Sequence, residues 1–234
     1  MKALRLKIST YAVALLISVG LSTTSHAGSS DFAGIYGAFN ASAGGAAING
    51  SHTNQSNEVT DGQVGGVFPL AGYEVGFTLP IGDVLFIGAG HSWTKGGTAS
   101  LADGEGDSKG DNNRAAGDAI ADSSIHLKAT NLKEVYITPG ISITDGSAIY
   151  VKIGRSIADT EVSGNVSGAP GNLSGSVLGI GTIAMMSNGL FIKTEGSVTR
   201  FDSISITGIA GSEGAKVEGT PDMVAGTIAI GYKF

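Results

Sequence analysis

The chain closes on GTIAIGYKF, residues 226–234, where Ile228, Ile230, Tyr232 and Phe234 alternate with Thr227, Ala229, Gly231 and Lys233. Large apolar side chains at a two-residue period, with small or polar ones between them, describe a β-strand with two unlike faces. A strand of a water-soluble protein can show the same pattern. Which face meets lipid, water or core depends on the other strands.

The opposite end sets the compartment. Lys2, Arg5 and Lys7 precede an apolar stretch over residues 11–21, and Ser25-His26-Ala27 has the small-x-small form of a cleavage site. These three regions together predict a secretory signal peptide over residues 1–27. Eleven apolar residues are too few for a membrane-spanning helix, which needs roughly 20. Cleavage after Ala27 leaves one expected domain, residues 28–234, with 11 basic against 20 acidic side chains, a formal charge of −9. That balance argues against a nucleic-acid partner. The chain has no cysteine, so an exported protein here must hold together without disulfides or thiolate metal sites.

Glycine, at 38 residues, runs through the apolar segments as well as the turns. Each interior glycine costs a helix about 1 kcal/mol relative to alanine, so the pattern favours strands. Alternation and turn residues predict eight of them, at roughly 31–43, 67–79, 84–94, 125–143, 148–157, 174–186, 190–201 and 222–234. Short connections, PIGD at 80–83, TDGS at 144–147 and SNG at 187–189, take turns with long ones at 44–66, 95–124, 158–173 and 202–221. The short ones carry tight-turn residues. Three short turns alternating with four long loops is the signature of an all-β, eight-stranded antiparallel transmembrane barrel, with short periplasmic turns and long external loops.

The faces assign themselves next. Tyr73, Val75, Phe77 and Leu79 share one side of the second strand, with Glu74 and Thr78 on the other. Similar alternation puts Glu134, Lys152, Lys193, Glu195 and Lys233 on polar faces. A charge facing lipid at mid-bilayer costs about 2–4 kcal/mol, so Glu74, Glu134, Glu195, Lys152, Lys193 and Lys233 are expected to point inward and pair, three of each sign. Phe77, Phe86, Tyr150, Phe191, Tyr232 and Phe234 lie near the short-turn ends and are expected to form an interfacial aromatic girdle. Trp93 and Phe201 are expected to mark the opposite interface.

On the alternating ending and its last residues, Tyr232-Lys233-Phe234, the chain resembles the small eight-stranded outer-membrane barrels of Gram-negative bacteria, the OmpA/OmpX-like and opacity-protein-like family. The resemblance implies that Ile228, Ile230, Tyr232 and Phe234 form the signal read by the barrel-assembly machinery. It also implies outer-membrane localisation, contact with membrane lipids and lipopolysaccharide, and an adhesin-like or structural role through long external loops that meet an extracellular ligand. Some outer-membrane barrels are lipid-A deacylases or palmitoyl transferases, but GAGHSWTKG, residues 88–96, does not reproduce the deacylase His-x-Ser-Asn pattern. His91 and Ser92, being adjacent on a strand, face opposite ways. No enzymatic activity and no cofactor are expected. The acidic residues of the loop segment 103–122 lack the twelve-residue calcium-loop pattern and read as a solvated loop. Two other roles stay open from the sequence: a narrow porin for small solutes, and a soluble exported lipocalin-like carrier.

Overall fold

The computed structural model describes residues 28–53, 59–95, 126–163, 171–209 and 212–234. The segment expected to be a signal peptide and the acidic loop segment 103–122 lie outside the described residues. Among the described residues nine strands form one antiparallel sheet: β1 Gly34–Thr53, β2 Val59–Ile81, β3 Leu85–Lys95, β4 His126–Thr144, β5 Ser147–Ser163, β6 Leu173–Met185, β7 Leu190–Phe201, β8 Ile204–Ile209 and β9 Ser212–Lys233. Each of β1 to β7 pairs with its sequence neighbour, β7 pairs with β9, and β9 pairs back onto β1. The closing register sets Phe39 against Ile230 and Tyr36 against Lys233. Eight strands therefore make a closed wall, and closure removes the open edges that a sheet cannot leave in lipid.

The eight expected strands are all present, and β1, β2, β5 and β9 run well beyond their expected outer ends. Residues 44–66, expected as a loop, instead continue β1 to Thr53 and begin β2 at Val59, in register from Gly44 with Phe68 to Thr53 with Val59. Small residues dominate there (Gly44, Gly45, Ala46, Ala47, Gly65, Gly66), so no large-apolar alternation reveals a strand held by backbone pairing. β8 was not expected either. It follows β7 after Asp202 and Ser203 and pairs with β9 from Ile204 opposite Gly219, taking over beyond the Arg200–Asp222 pair of β7 and β9.

The wall has an apolar outside. Phe39 is 80 % exposed and Ile230 60 %, and Val75, Leu79, Val135, Ile137, Ile153, Leu178 and Val198 are also exposed. Water-soluble monomers rarely expose contiguous apolar surface beyond a few hundred Å², whereas a lipid-facing belt of this kind is what a transmembrane barrel presents. The soluble-carrier alternative conflicts with this exterior. The interior is filled from the turn end outward, as β7 shows in order: Phe191, then Lys193 and Glu195, then Ser197 and Thr199, and last Phe201, all buried. An eight-stranded barrel is only just wide enough for side chains to fill it.

The filling at the turn end corrects the expected girdle. Phe86, Tyr150 and Phe191 are not at the lipid interface; they are buried inside the barrel, each at most 3 % exposed. Phe77, Tyr232 and Phe234 remain outside. Each inward ring lies over a glycine on a neighbouring strand, in the cross-strand pairs Phe86–Gly140, Tyr150–Gly181 and Phe191–Gly231. A Cβ at any of these glycines would collide with the facing ring. Tyr136 over Gly90 and Tyr36 over Gly76 repeat the arrangement. The missing side chains make the room that the rings occupy, a cross-strand device that supports glycine-containing strands. Phe201 is likewise inside, in an outer-end cluster with Phe68, Leu70, Leu173 and Met223. Trp93 does face outward, ring edge to Tyr73 with centroids 5.3 Å apart.

A short 3-10 turn, Ser29–Phe32, closes the turn end. Phe32 stacks on Phe86 at 5.5 Å. Ser29 donates its N–H to the Asp83 carbonyl and its hydroxyl to the Gly82 carbonyl, at 2.7 and 2.6 Å. Gly34 then bends the chain into β1 with φ of 127°. A Cβ there would lie 2.9 Å from the Phe234 carbonyl oxygen.

Candidate functional site: the charged layer of the lumen

Between the turn-end rings and the outer cluster lie five buried charged side chains. β2 carries Glu74, β4 Glu134, β5 Lys152, and β7 Lys193 and Glu195, each between 5 and 7 % exposed. Strand alternation puts them inside, because Val75, Val135, Val151, Ile153, Ile192 and Val198 occupy the lipid-facing parity.

The contacts form two linked groups. Lys152 Nζ lies 2.5 Å from Glu134 Oε2 and 2.9 Å from Glu195 Oε1. Lys193 Nζ lies 2.6 Å from Glu74 Oε1. Tyrosine and serine hydroxyls occupy further carboxylate lone pairs: Tyr136 donates to Glu74 at 3.2 Å, Tyr150 to Glu195 at 2.9 Å and Ser92 to Glu134 at 3.3 Å. Tyr136 also joins the groups, its ring centroid 4.6 Å from Lys152 Nζ and 5.8 Å from Lys193 Nζ. An ammonium over an aromatic face contributes about 0.5–2 kcal/mol. Burial of ion pairs is costly and is offset only when the remaining lone pairs and protons are satisfied, which the hydroxyls help to do.

Lys233 stands apart from these five. It is partly buried at the turn end, and its ammonium donates to the Asp31 backbone carbonyl at 2.5 Å. The expected balance of three glutamates and three lysines is therefore three and two in this layer. Lys233 belongs to the last residues of β9, and Tyr36, its partner on β1, is only two residues past the bend at Gly34, which keeps it near the docked Ser29–Phe32 turn.

Reading the sequence alone missed the hydroxyls and one amide. Tyr136, Tyr150 and Ser92 have the inward parity of their strands, so parity was the available signal. Tyr150, grouped with the girdle by its place near a short turn, belongs by parity with Lys152. Asn40 on β1 is 8 % exposed, and its Oδ1 has no hydrogen-bond partner. His91 is exposed outside while Ser92 is buried inside, so these two do not form a nucleophile and base. Ile228, Ile230, Tyr232 and Phe234 all lie exposed along one outer face of β9. The Tyr232 and Phe234 rings meet edge to face at 5.2 Å.

No protein-family model matches the chain, and no curated protein matches it. Among solved structures it is similar to Ail, the attachment invasion locus protein of Yersinia pestis, at 10 % identity over 81 % of this chain and 97 % of that one, with a TM-score of 0.37. It is also similar to the outer membrane protein OprG from Pseudomonas aeruginosa, at 13 % identity over 86 % and 96 %, with a TM-score of 0.45. The Pseudomonas putida toluene transporter TodX is a third, at 10 % identity over 90 % and 92 %, with a TM-score of 0.27. Overlaps this loose add no argument. The resemblance to small eight-stranded outer-membrane barrels rests on this chain's own closure, strand number and faces.

Proposed function

We propose that the protein is an integral outer-membrane barrel whose closed wall is a scaffold for its outer loops, with a structural or adhesin-like surface role rather than solute transport. The observation that carries this reading is the filled lumen: rings at the turn end, a charged layer above them and an apolar cluster at the outer end. A narrow porin would need a continuous wet path through all three. Export through the segment 1–27 and recognition of Phe234 by the barrel-assembly machinery belong to the same proposal. So do lipopolysaccharide and other membrane lipids against the apolar belt, and an extracellular ligand for the loops.

The test is fractionation combined with gel mobility and protease treatment of intact cells. The protein is expected in outer membranes, migrating differently when boiled and unboiled, and cut only in its outer loops by protease added outside. Recovery as a soluble periplasmic protein with one gel mobility would contradict the proposal.

A further inference from the structure

The turn docked at the barrel end begins one residue beyond the expected cleavage site. Ser29 is 1 % exposed and held by the Asp83 and Gly82 carbonyls, whereas Gly28 before it is half-buried. Asp31 closes the turn back on Gly28, its N–H donating to the Gly28 carbonyl at 3.2 Å. The Asp31 carboxylate is turned the same way: a Cβ on Gly28 would lie 3.3 Å from its Oδ2. The Gly28 nitrogen is bonded to the same Cα. This is the spacing of a capping box, in which an acidic side chain three residues on reaches back to the first residue's nitrogen.

That carboxylate lacks a cation. Among the described residues Asp31 has no ion-pair partner, and Lys233 takes it by the backbone carbonyl instead. The charged side chains of this end are Asp31 in the turn, Asp83 between β2 and β3, Asp145 between β4 and β5, and Lys233 closing β9. Asp31, Asp145 and Lys233 line one hollow there. A second positive charge beside Asp31 would meet surroundings of the opposite sign, and a charge-assisted hydrogen bond is roughly twice as strong as a neutral one.

We propose that cleavage supplies this charge: the α-ammonium it creates on Gly28 pairs with the Asp31 carboxylate and locks the Ser29–Phe32 turn over the barrel end. The inference rests on the proposed export with cleavage after Ala27. Before cleavage the Gly28 nitrogen is a neutral amide with one N–H. Hydrolysis of the Ala27–Gly28 bond adds water across it, leaving a carboxylate on Ala27 and an amine on Gly28 that takes up a proton, since an α-amino group is largely charged at neutral pH. The Ser29 hydrogen bonds and the Phe32–Phe86 stack position the turn in either form. The ion pair belongs to the processed chain alone, so removal of the export segment also tightens the end of the barrel.

The test uses the protein purified from outer membranes. Its mass should be that of a chain starting at Gly28; any other start overturns the inference together with the cleavage it rests on. The α-amine is then titrated in the folded barrel through the pH dependence of its acetylation. It should hold its proton to a pH higher by about half a unit than in Asp31→Asn, whose side chain carries no charge. An unchanged titration would overturn the pairing and leave the cleavage reading intact. Closure is read at one pH from maleimide labelling of Ile183→Cys, among the residues packed beneath Phe32. Acetylating the Gly28 α-amine should speed that labelling about two- to fivefold, with gel mobility confirming the fold, and should leave it unchanged when Asp31→Asn is also present. Equal rates before and after acetylation would overturn the lock, as would the same acceleration in the Asp31→Asn background.

Discussion

Lys193 on β7 reaches across the lumen to Glu74 on β2, its Nζ 2.6 Å from Oε1, although the two residues are 119 positions apart and their strands are not neighbours. β9 and β1 lie between them in the wall. One ion pair thus ties two strands that are three places apart in the eight-stranded wall. Removing Lys193 leaves Glu74 buried without its cation, a break that costs about 3–5 kcal/mol. Lys193→Met should therefore lower the urea midpoint markedly, and adding Glu74→Leu should recover much of the loss. A double variant no more stable than the single one would show that the pair is not what Lys193 contributes.

The ring-over-glycine pairs make a steric prediction. Gly140→Ala and Gly231→Ala put a methyl group against the Phe86 and Phe191 rings, and overpacking of this kind costs about 1–3 kcal/mol. Gly226 has open space where its Cβ would be, so Gly226→Ala should stay within about 0.5 kcal/mol. Equilibrium unfolding of the three variants checks the contrast; equal losses would contradict it.

The Ser29–Phe32 turn should act as a lid on the turn end. Phe32 is 3 % exposed against Phe86, and truncating a buried phenylalanine costs about 3–5 kcal/mol. Because the chain has no cysteine, Ile183→Cys supplies a single label site among the residues packed beneath Phe32. A water-soluble maleimide should label it faster in the Phe32→Ala background, with gel mobility confirming that both variants are folded. Equal labelling rates would mean that Phe32 does not seal this end.

Phe234 is 79 % exposed, yet its backbone N–H donates to Ile35 at 2.9 Å. The bond comes from the main chain, and the ring, edge to face with Tyr232, stays exposed to the recognition proposed above. Deleting Phe234 should lower the yield of folded barrel in the membrane while leaving signal cleavage intact. An unchanged yield of the heat-modifiable form would contradict its role as an assembly signal.

Much of this was legible in the sequence because strand parity is strict. Glu74 between Tyr73 and Val75, or Lys152 between Val151 and Ile153, leaves one consistent choice of inside and outside once lipid is the solvent. What parity cannot say is which side chains meet across the lumen, since Lys193 and Glu74 are joined by closure and not by neighbouring strands. The girdle differs for another reason: Phe86, Tyr150 and Phe191 lie near short turns yet have inward parity, and the glycines that make room for their rings lie on other strands. The outer extension of β1 and β2 was hidden because glycine and alanine carry no face signal. Asn40 left no mark in the sequence beyond its inward parity.

The filled lumen is tested most directly by single-channel recording of the purified, folded protein in planar bilayers. The unmodified barrel is expected to show no steady ion conductance across the range of membrane voltages that the bilayer tolerates. A stable, reproducible open level in the wild type would contradict the plugged interior and make the narrow pore the better reading.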